Sequence, residues 1–285
     1  MSAPAELPLT PTSAPPLRHA VITGGSSGIG LSIAVQLVRR GWNLSLIARD
    51  EAKLARAVEE LQQCVTAEQR ILCFRADVAQ RPAVQAAISQ ALASLGGPDL
   101  LVTSAGICEP GRAIDLPVEV FEQSIQTNYL GSLYAVLAAL PAMRAQGRGR
   151  VVLISSGAGL IGVAGYGAYS PAKFALRGLA EVLRSELKPH GIGITIVYPP
   201  DTDTPQLAYE RGRRPPETDL IVGMAPTWSV DRMAETILRG IERDRSEIAP
   251  GFQMRMLLHF GSVLKPLLFR HFDRLIAKVL ADGRQ

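Results

Sequence analysis

The sequence predicts an α/β fold: one doubly wound domain, its seven-stranded and mostly parallel sheet carrying helices on both faces. Three observations predict it. Short runs rich in Val, Ile and Leu alternate with longer stretches of helical period. The segments between successive runs are long enough for the right-handed crossovers that parallel strands require. The composition, 47% hydrophobic and 20% charged with 26 Gly and 20 Pro in 285 residues, is that of an ordinary globular chain and excludes disorder or a collagen-like repeat.

In chain order, the strands are expected at His19 to Thr23, Leu44 to Ala48, Ile71 to Arg75, Leu100 to Thr103, Val151 to Ser155 and Ile192 to Tyr198, with a short last one at Glu247 to Ala249. Helices are expected over 28–40, 51–63, 81–94, 119–146 and 168–189, and from Val230 to Ile241. The alternation breaks between Pro199 and Thr227, a stretch rich in Pro, Asp, Thr and Arg. Long irregular insertions of this kind commonly form lids or binding loops. Residues 1–17, Pro/Ser/Ala/Thr-rich through Pro16, read as a flexible leader without a signal-peptide run. Residues 18–250 are expected to form the one folded domain, and 251–285 an amphipathic, basic helical extension.

Charge is unevenly placed. The chain carries 30 Lys and Arg against 26 Asp and Glu, and the whole excess lies after residue 250, where Arg255, Lys265, Arg270, Arg274, Lys278 and Arg284 face only Asp273 and Asp282. A folded body with no basic stripe argues against nucleic acid as a partner. Beyond an expected helix break at Pro266, Leu268, Phe272, Leu275, Ile276 and Val279 recur at helical spacing beside the row Arg270, Arg274 and Lys278. Such a helix suits the surface of a membrane, its own domain or a partner subunit. The longest uncharged stretch of the tail, Met256 to Leu264, is far short of the roughly 20 residues of a spanning helix. Cys64, Cys73 and Cys108 form no CxxC pair and read as reduced core thiols of a cytosolic protein. His19, His190, His259 and His271 show no metal-ligand spacing, so no metal is expected.

Directly after the first strand runs Thr23-Gly24-Gly25-Ser26-Ser27-Gly28-Ile29-Gly30, and then a helix. Glycines there let the backbone approach a pyrophosphate, and the helix start offers free N–H groups and a positive dipole end, as in a Rossmann-type domain. The second strand ends Ala48-Arg49-Asp50. A carboxylate at that point accepts the ribose hydroxyls of NAD, whereas a guanidinium welcomes a 2′-phosphate. Arg49, helped by Ser26, therefore points to NADPH; alternatively Arg49 is a solvated charge and Asp50 a helix cap. Asp77, with Val78 beside it, stands where an adenine amino group would be held; alternatively it is a plain helix cap. Further along, Tyr169 and Lys173 lie four residues apart on one helical face, with Ser156 upstream at a strand end. A cation about 4 Å from a phenol at an effective dielectric near 20 is worth ~4 kcal/mol, enough to lower its pKa by up to ~3 units. Tyr and Lys at this spacing are common on helices; joined to Ser156 and the glycine loop in this order, they are not.

TGxxxGIG, Ser156, and Tyr169 with Lys173 resemble the short-chain dehydrogenase/reductase superfamily over roughly residues 18–250. The resemblance implies that Tyr169 is the general acid or base and that Lys173 holds the nicotinamide ribose. Ser156, or alternatively Ser155, would orient the carbonyl. Asn128, in Asn128-Tyr129-Leu130-Gly131, would support a relay water. It also implies cofactor contacts from Gly24, Ser26, Ser27, Gly28, Ile29, Gly30, Ala105, Gly106, Pro199, Thr202 and Thr204, and a homo-oligomer. Two departures stand out: Thr103-Ser104-Ala105-Gly106 replaces NNAG, leaving its bracing Asn unaccounted for, and Pro200 replaces a customary Gly. Tyr198 to Pro205, Asn128 to Ser132 and Phe174 to Glu181 narrow the resemblance to the 3-ketodihydrosphingosine reductase branch. That branch implies a long-chain keto-base lipid substrate reduced with NADPH, and in eukaryotes anchoring to the endoplasmic reticulum; this sequence shows no comparable N-terminal anchor, so it is expected to be cytoplasmic or peripheral at a membrane's cytoplasmic face. The alternatives are another bulky ketone or alcohol, such as a steroid, 3-ketoacyl group or polyketide, and a non-catalytic NADPH-binding regulator.

Overall fold

The computed structural model describes residues 17–282; apart from Leu17, the expected leader lies outside them. Seven strands pair in the order β3-β2-β1-β4-β5-β6-β7: β1 (His19–Thr23), β2 (Asn43–Ala48), β3 (Ile71–Arg75), β4 (Leu100–Thr103), β5 (Gly149–Ile154), β6 (Ile192–Val197) and β7 (Glu247–Ile248). Every pairing is parallel, so the sheet is parallel throughout rather than mostly.

Parallel strands bury both faces, and the alternation along them shows it. Ala20, Ile22, Leu44, Leu46, Leu100 and Val102 pack on one side, beneath α1 (Gly28–Val38), α2 (Glu51–Gln62) and α9 (Val230–Glu242). Val21, Ile47, Leu101, Val151 and Leu153 pack on the other, beneath α3 (Arg81–Leu95), α5 (Gly131–Gln146) and α6 (Tyr169–Leu187). The strand order turns at β1 and β4. Thr23 pairs with Ile47 and Thr103, and Thr103 with Leu153, so the loops leaving these strands open onto one shared edge, where doubly wound sheets bind ligands.

Four local expectations need correction. The helix expected over 119–146 is three pieces: α4 (Val118–Ser124), a π-helical turn at Ile125–Leu130 and α5. The insertion after β6 is not irregular but folds into α7 (Pro205–Arg211) and α8 (Pro216–Val222). The tail is one helix, α10 (Gly251–Asp282), running through Pro266 at the cost of the hydrogen bond that proline cannot donate. Cys108 is buried, but Cys64 is only half-buried and Cys73 is exposed on the edge strand, all three as free thiols. Among the described residues no helix is long and apolar enough to cross a membrane, and no cluster of three or more metal-type ligands occurs.

Candidate active site

A single cleft of about 1820 Å³ opens at the carboxyl edge of the sheet. Clefts for one small ligand occupy roughly 300–1,000 Å³, so this one has room for more than one molecule. Of the residues singled out from the sequence, Gly24, Ser26, Ser27, Gly28, Ile29, Arg49, Asp77, Val78, Ala105, Gly106, Ser156, Tyr169, Lys173, Pro199, Thr202 and Thr204 all line it. Gly30 and Asn128 stand behind its wall.

At the nucleotide end the backbone forms a cradle that side chains would fill. A Cβ on Gly24, whose φ is +69°, would lie 2.5 Å from the Ala105 amide nitrogen, and one on Gly30 2.4 Å from the Gly24 carbonyl oxygen. Helix α1 begins with no side-chain cap and no acid in its first turn. Its leading N–H groups therefore remain free for an anion in the cleft. By contrast, α2 is capped by Asp50, which accepts from the Lys53 amide at 3.0 Å. Both side chains are exposed, but with Asp50 so engaged Arg49 is the strand-end group without a side-chain hydrogen bond among the described residues, 4.0 Å from Asp77. Asp77 itself accepts from the Ala79 amide at 3.0 Å. These features fit a dinucleotide with its pyrophosphate on α1.

At the other end, Tyr169 opens α6 and Lys173 lies one turn on, both buried. Ser156 ends the β5 loop, accepting from the Ala158 amide at 3.2 Å. The alternative, Ser155, donates its hydroxyl to the Lys173 carbonyl at 2.9 Å. The expectation that Lys173 dominates the acidity of Tyr169 is not met. Burial pushes the phenol well above its ordinary value, while the Ser156 and Gln206 side chains beside its hydroxyl pull the other way. The Lys173 ammonium donates to the Ile154 carbonyl at 3.0 Å and sits 5.5 Å from the Tyr169 ring centroid. Burial brings its pKa down to about 8. Taking a cation and a phenol out of water thus outweighs their mutual effect here.

Asn128 lies behind these groups. It is fully buried, in the π-helical turn; its Oδ1 accepts from the Ile107 amide and its Nδ2 donates to the Ile107 carbonyl, both at 3.0 Å. Nδ2 also donates to Ser124 Oγ, whose hydroxyl donates to the Ala168 carbonyl next to Tyr169. Its carboxamide is therefore committed to bracing the β4 loop and the start of α6, the support that Thr103-Ser104-Ala105-Gly106 left unaccounted for. Only glycine at 106 allows this approach, since a Cβ there would meet Asn128 Oδ1 at 2.7 Å. Thr202 and Thr204 have their hydroxyls engaged too. Thr202 donates to the Pro200 carbonyl and Thr204 caps α7.

Sequence reasoning missed the group behind the reactive end. Tyr166 donates to Glu210 at 2.6 Å, Gln206 donates to the other Glu210 oxygen at 2.8 Å, and Arg214 pairs with Glu210 and bidentately with Asp201. The four-residue steps from Gln206 to Glu210 to Arg214 were the available signal, hidden by the polarity of the insertion.

The chain matches the short chain dehydrogenase family over residues 18–214, and it belongs to that family. Within it, the chain is 43% identical over 223 residues to the 3-dehydrosphinganine reductase of Danio rerio, covering 78% of this chain and 67% of that one. It is 37% identical over 277 residues to the 3-ketodihydrosphingosine reductase of Dictyostelium discoideum, covering 92% and 83%. Among solved structures, a short chain dehydrogenase/reductase from Burkholderia phymatum in complex with NAD superimposes with a TM-score of 0.73 at 26% identity, covering 82% of this chain and 88% of that one. Levodione reductase shares the fold, with a TM-score of 0.75 at 23% identity over 81% and 94% of the two chains.

Proposed function

We propose that this protein reduces the keto group of 3-ketosphinganine to the alcohol of sphinganine, using NADPH. The observation that carries the reading is one continuous cleft. It runs from the glycine loop past Tyr169 and Lys173 into an apolar channel walled by Ile161, Ile221, Leu257, Leu268 and Phe272 from α8, α10 and the β5 loop region. Such a channel suits a long alkyl chain, and the relatives' names give the matching substrate.

NADPH, when bound, supplies the hydride. Tyr169 gives a proton to the carbonyl oxygen as charge develops on it. Ser156 donates a hydrogen bond to the same oxygen, a type of contact whose removal costs about 10² to 10³ in rate. Lys173 places a buried cation 5.5 Å from the centre of the phenol ring and would hold the cofactor's ribose. Asn128 holds the start of α6 in register through Ser124. The outward positions of α10, Phe260, Val263 and Leu267 followed by Arg270, Arg274 and Lys278, support contact with an anionic membrane surface from which such a lipid would be drawn.

The test is loss of NADPH absorbance with 3-ketosphinganine beside a steroid ketone, a 3-ketoacyl thioester and a short-chain ketone. The expected kcat/KM for 3-ketosphinganine exceeds the others by at least about 100-fold; equal values across the panel would overturn the assignment. Cofactor choice is checked separately. Arg49→Ala is expected to raise Kd for NADPH about 10- to 100-fold, the worth of one charge-assisted contact, while leaving Kd for NADH within a factor of two. Equal loss for both nucleotides would remove Arg49 from the phosphate site.

A further inference from the structure

We propose that Glu210 recognises a protonated amine on the carbon next to the reacting carbonyl, and so makes the protein selective for α-amino ketones. The assignment rests on the ketoreductase reading above and names what that site prefers. Glu210 is 5% exposed, yet it lines the cleft. Its two oxygens accept from Tyr166 at 2.6 Å and Gln206 at 2.8 Å. The Gln206 side chain also neighbours the Tyr169 hydroxyl, and the Tyr166 ring meets the Tyr169 ring edge-on with centroids 5.4 Å apart. The carboxylate is therefore held one side chain away from the proton donor, on the substrate side.

Charge supplies the second argument. Arg214 is the cation paired with Glu210, but it also takes Asp201 bidentately and stands 3.8 Å from the half-exposed Asp219, so two buried or part-buried carboxylates and one solvated one share one guanidinium. Glu210 and Asp201 line the cleft, whereas Arg214 does not; the negative charge faces the ligand and the positive charge is turned inward. Lys173, whose charge acts on Glu210 from a distance, donates to the Ile154 carbonyl instead and makes no ion pair with the cluster among the described residues. A buried cluster carrying one excess negative charge is costly unless a cation completes it. An ammonium on the carbon beside the carbonyl would do so while the carbonyl oxygen rests on Tyr169 and Ser156. A carboxylate-bearing ketone would be repelled. Oε2 of Glu210 already accepts from both Tyr166 and Arg214, whereas Oε1 accepts from Gln206 alone and keeps a further lone pair with which to accept from the ammonium.

The experiment compares 3-ketosphinganine with the desamino ketone of the same chain length, reading the ratio of their kcat/KM values. The unaltered protein is expected to prefer the amine by about 10- to 100-fold, the range of a hydrogen bond to a charged group. Glu210→Gln is expected to bring the ratio to within about threefold of one, and Glu210→Asp to keep most of the preference. Because the readout is a ratio, a general loss of activity from disturbing the network does not move it. A ratio near one in the unaltered protein, or an unchanged ratio in Glu210→Gln, overturns this assignment while leaving the ketoreductase reading intact. Turnover of neither ketone by the unaltered protein overturns both.

Discussion

Tyr169→Phe is expected to lower kcat/KM for ketone reduction by about 10³-fold, within the range of 10² to 10⁴ for loss of a positioned general acid, while leaving Kd for NADPH unchanged. The physical case rests on burial. The phenol is 8% exposed and its acidity is suppressed by its surroundings, so it holds its proton at any working pH. That state suits reduction, because the developing alkoxide is a stronger base than a phenolate and takes the proton downhill. Phenylalanine keeps the ring and its edge contact with Tyr166 and removes only the hydroxyl. Steady-state turnover and fluorescence titration of NADPH check the two halves; a variant retaining a tenth of the activity would remove Tyr169 from the reaction.

Lys173→Met should cost about 10²-fold or more in kcat/KM and yet leave the fold at least as stable at pH 7. The ammonium is buried, and its pKa of about 8 compares with an ordinary 10.5. Between those two values the unfolded chain binds a proton that the folded protein does not. Stability therefore rises with pH across that window, and below about pH 8 the folded protein carries the full cost of a buried charge. Replacing that charge with a methionine of similar length relieves a cost on the order of a few kcal/mol. Thermal unfolding at pH 7 and pH 10 is expected to show the variant's advantage at pH 7 shrinking at pH 10. In the parent, kcat/KM for the nucleotide, which reports ionisation in the free enzyme, is expected to fall above a pH near 8. A destabilised but fully active variant would contradict the whole account. Such a trade of stability for function is common at reactive sites.

Individual residues show where the sequence was readable. The glycine run was legible because its spacing encodes a backbone path: Gly24 and Gly30 stand where a Cβ would strike backbone atoms. Tyr169 and Lys173 were legible because helical periodicity alone brings them to one face. Asn128 was half legible: its motif singles it out, but no local pattern announces that its carboxamide bonds to Ile107 and Ser124. The acidity of Tyr169 was misjudged for a related reason. A Coulomb estimate from spacing counts the neighbouring cation but not the desolvation of both groups.

By itself the sequence determined the order of strands and crossovers, the phosphate-binding turn, and the reactive pair, because each is a property of consecutive residues: period two, period 3.6, or the absence of a side chain. Tertiary structure alone decided that the polar insertion folds into α7 and α8, that Glu210 is turned into the cleft with Arg214 behind it, and that α10 crosses Pro266 to bury Phe272 against Ile161 and Ile221. Those outcomes depend on which surfaces meet. The burial that sets the charge balance and the shape of the cleft is a sum over residues far apart in the chain, and so has no local signature.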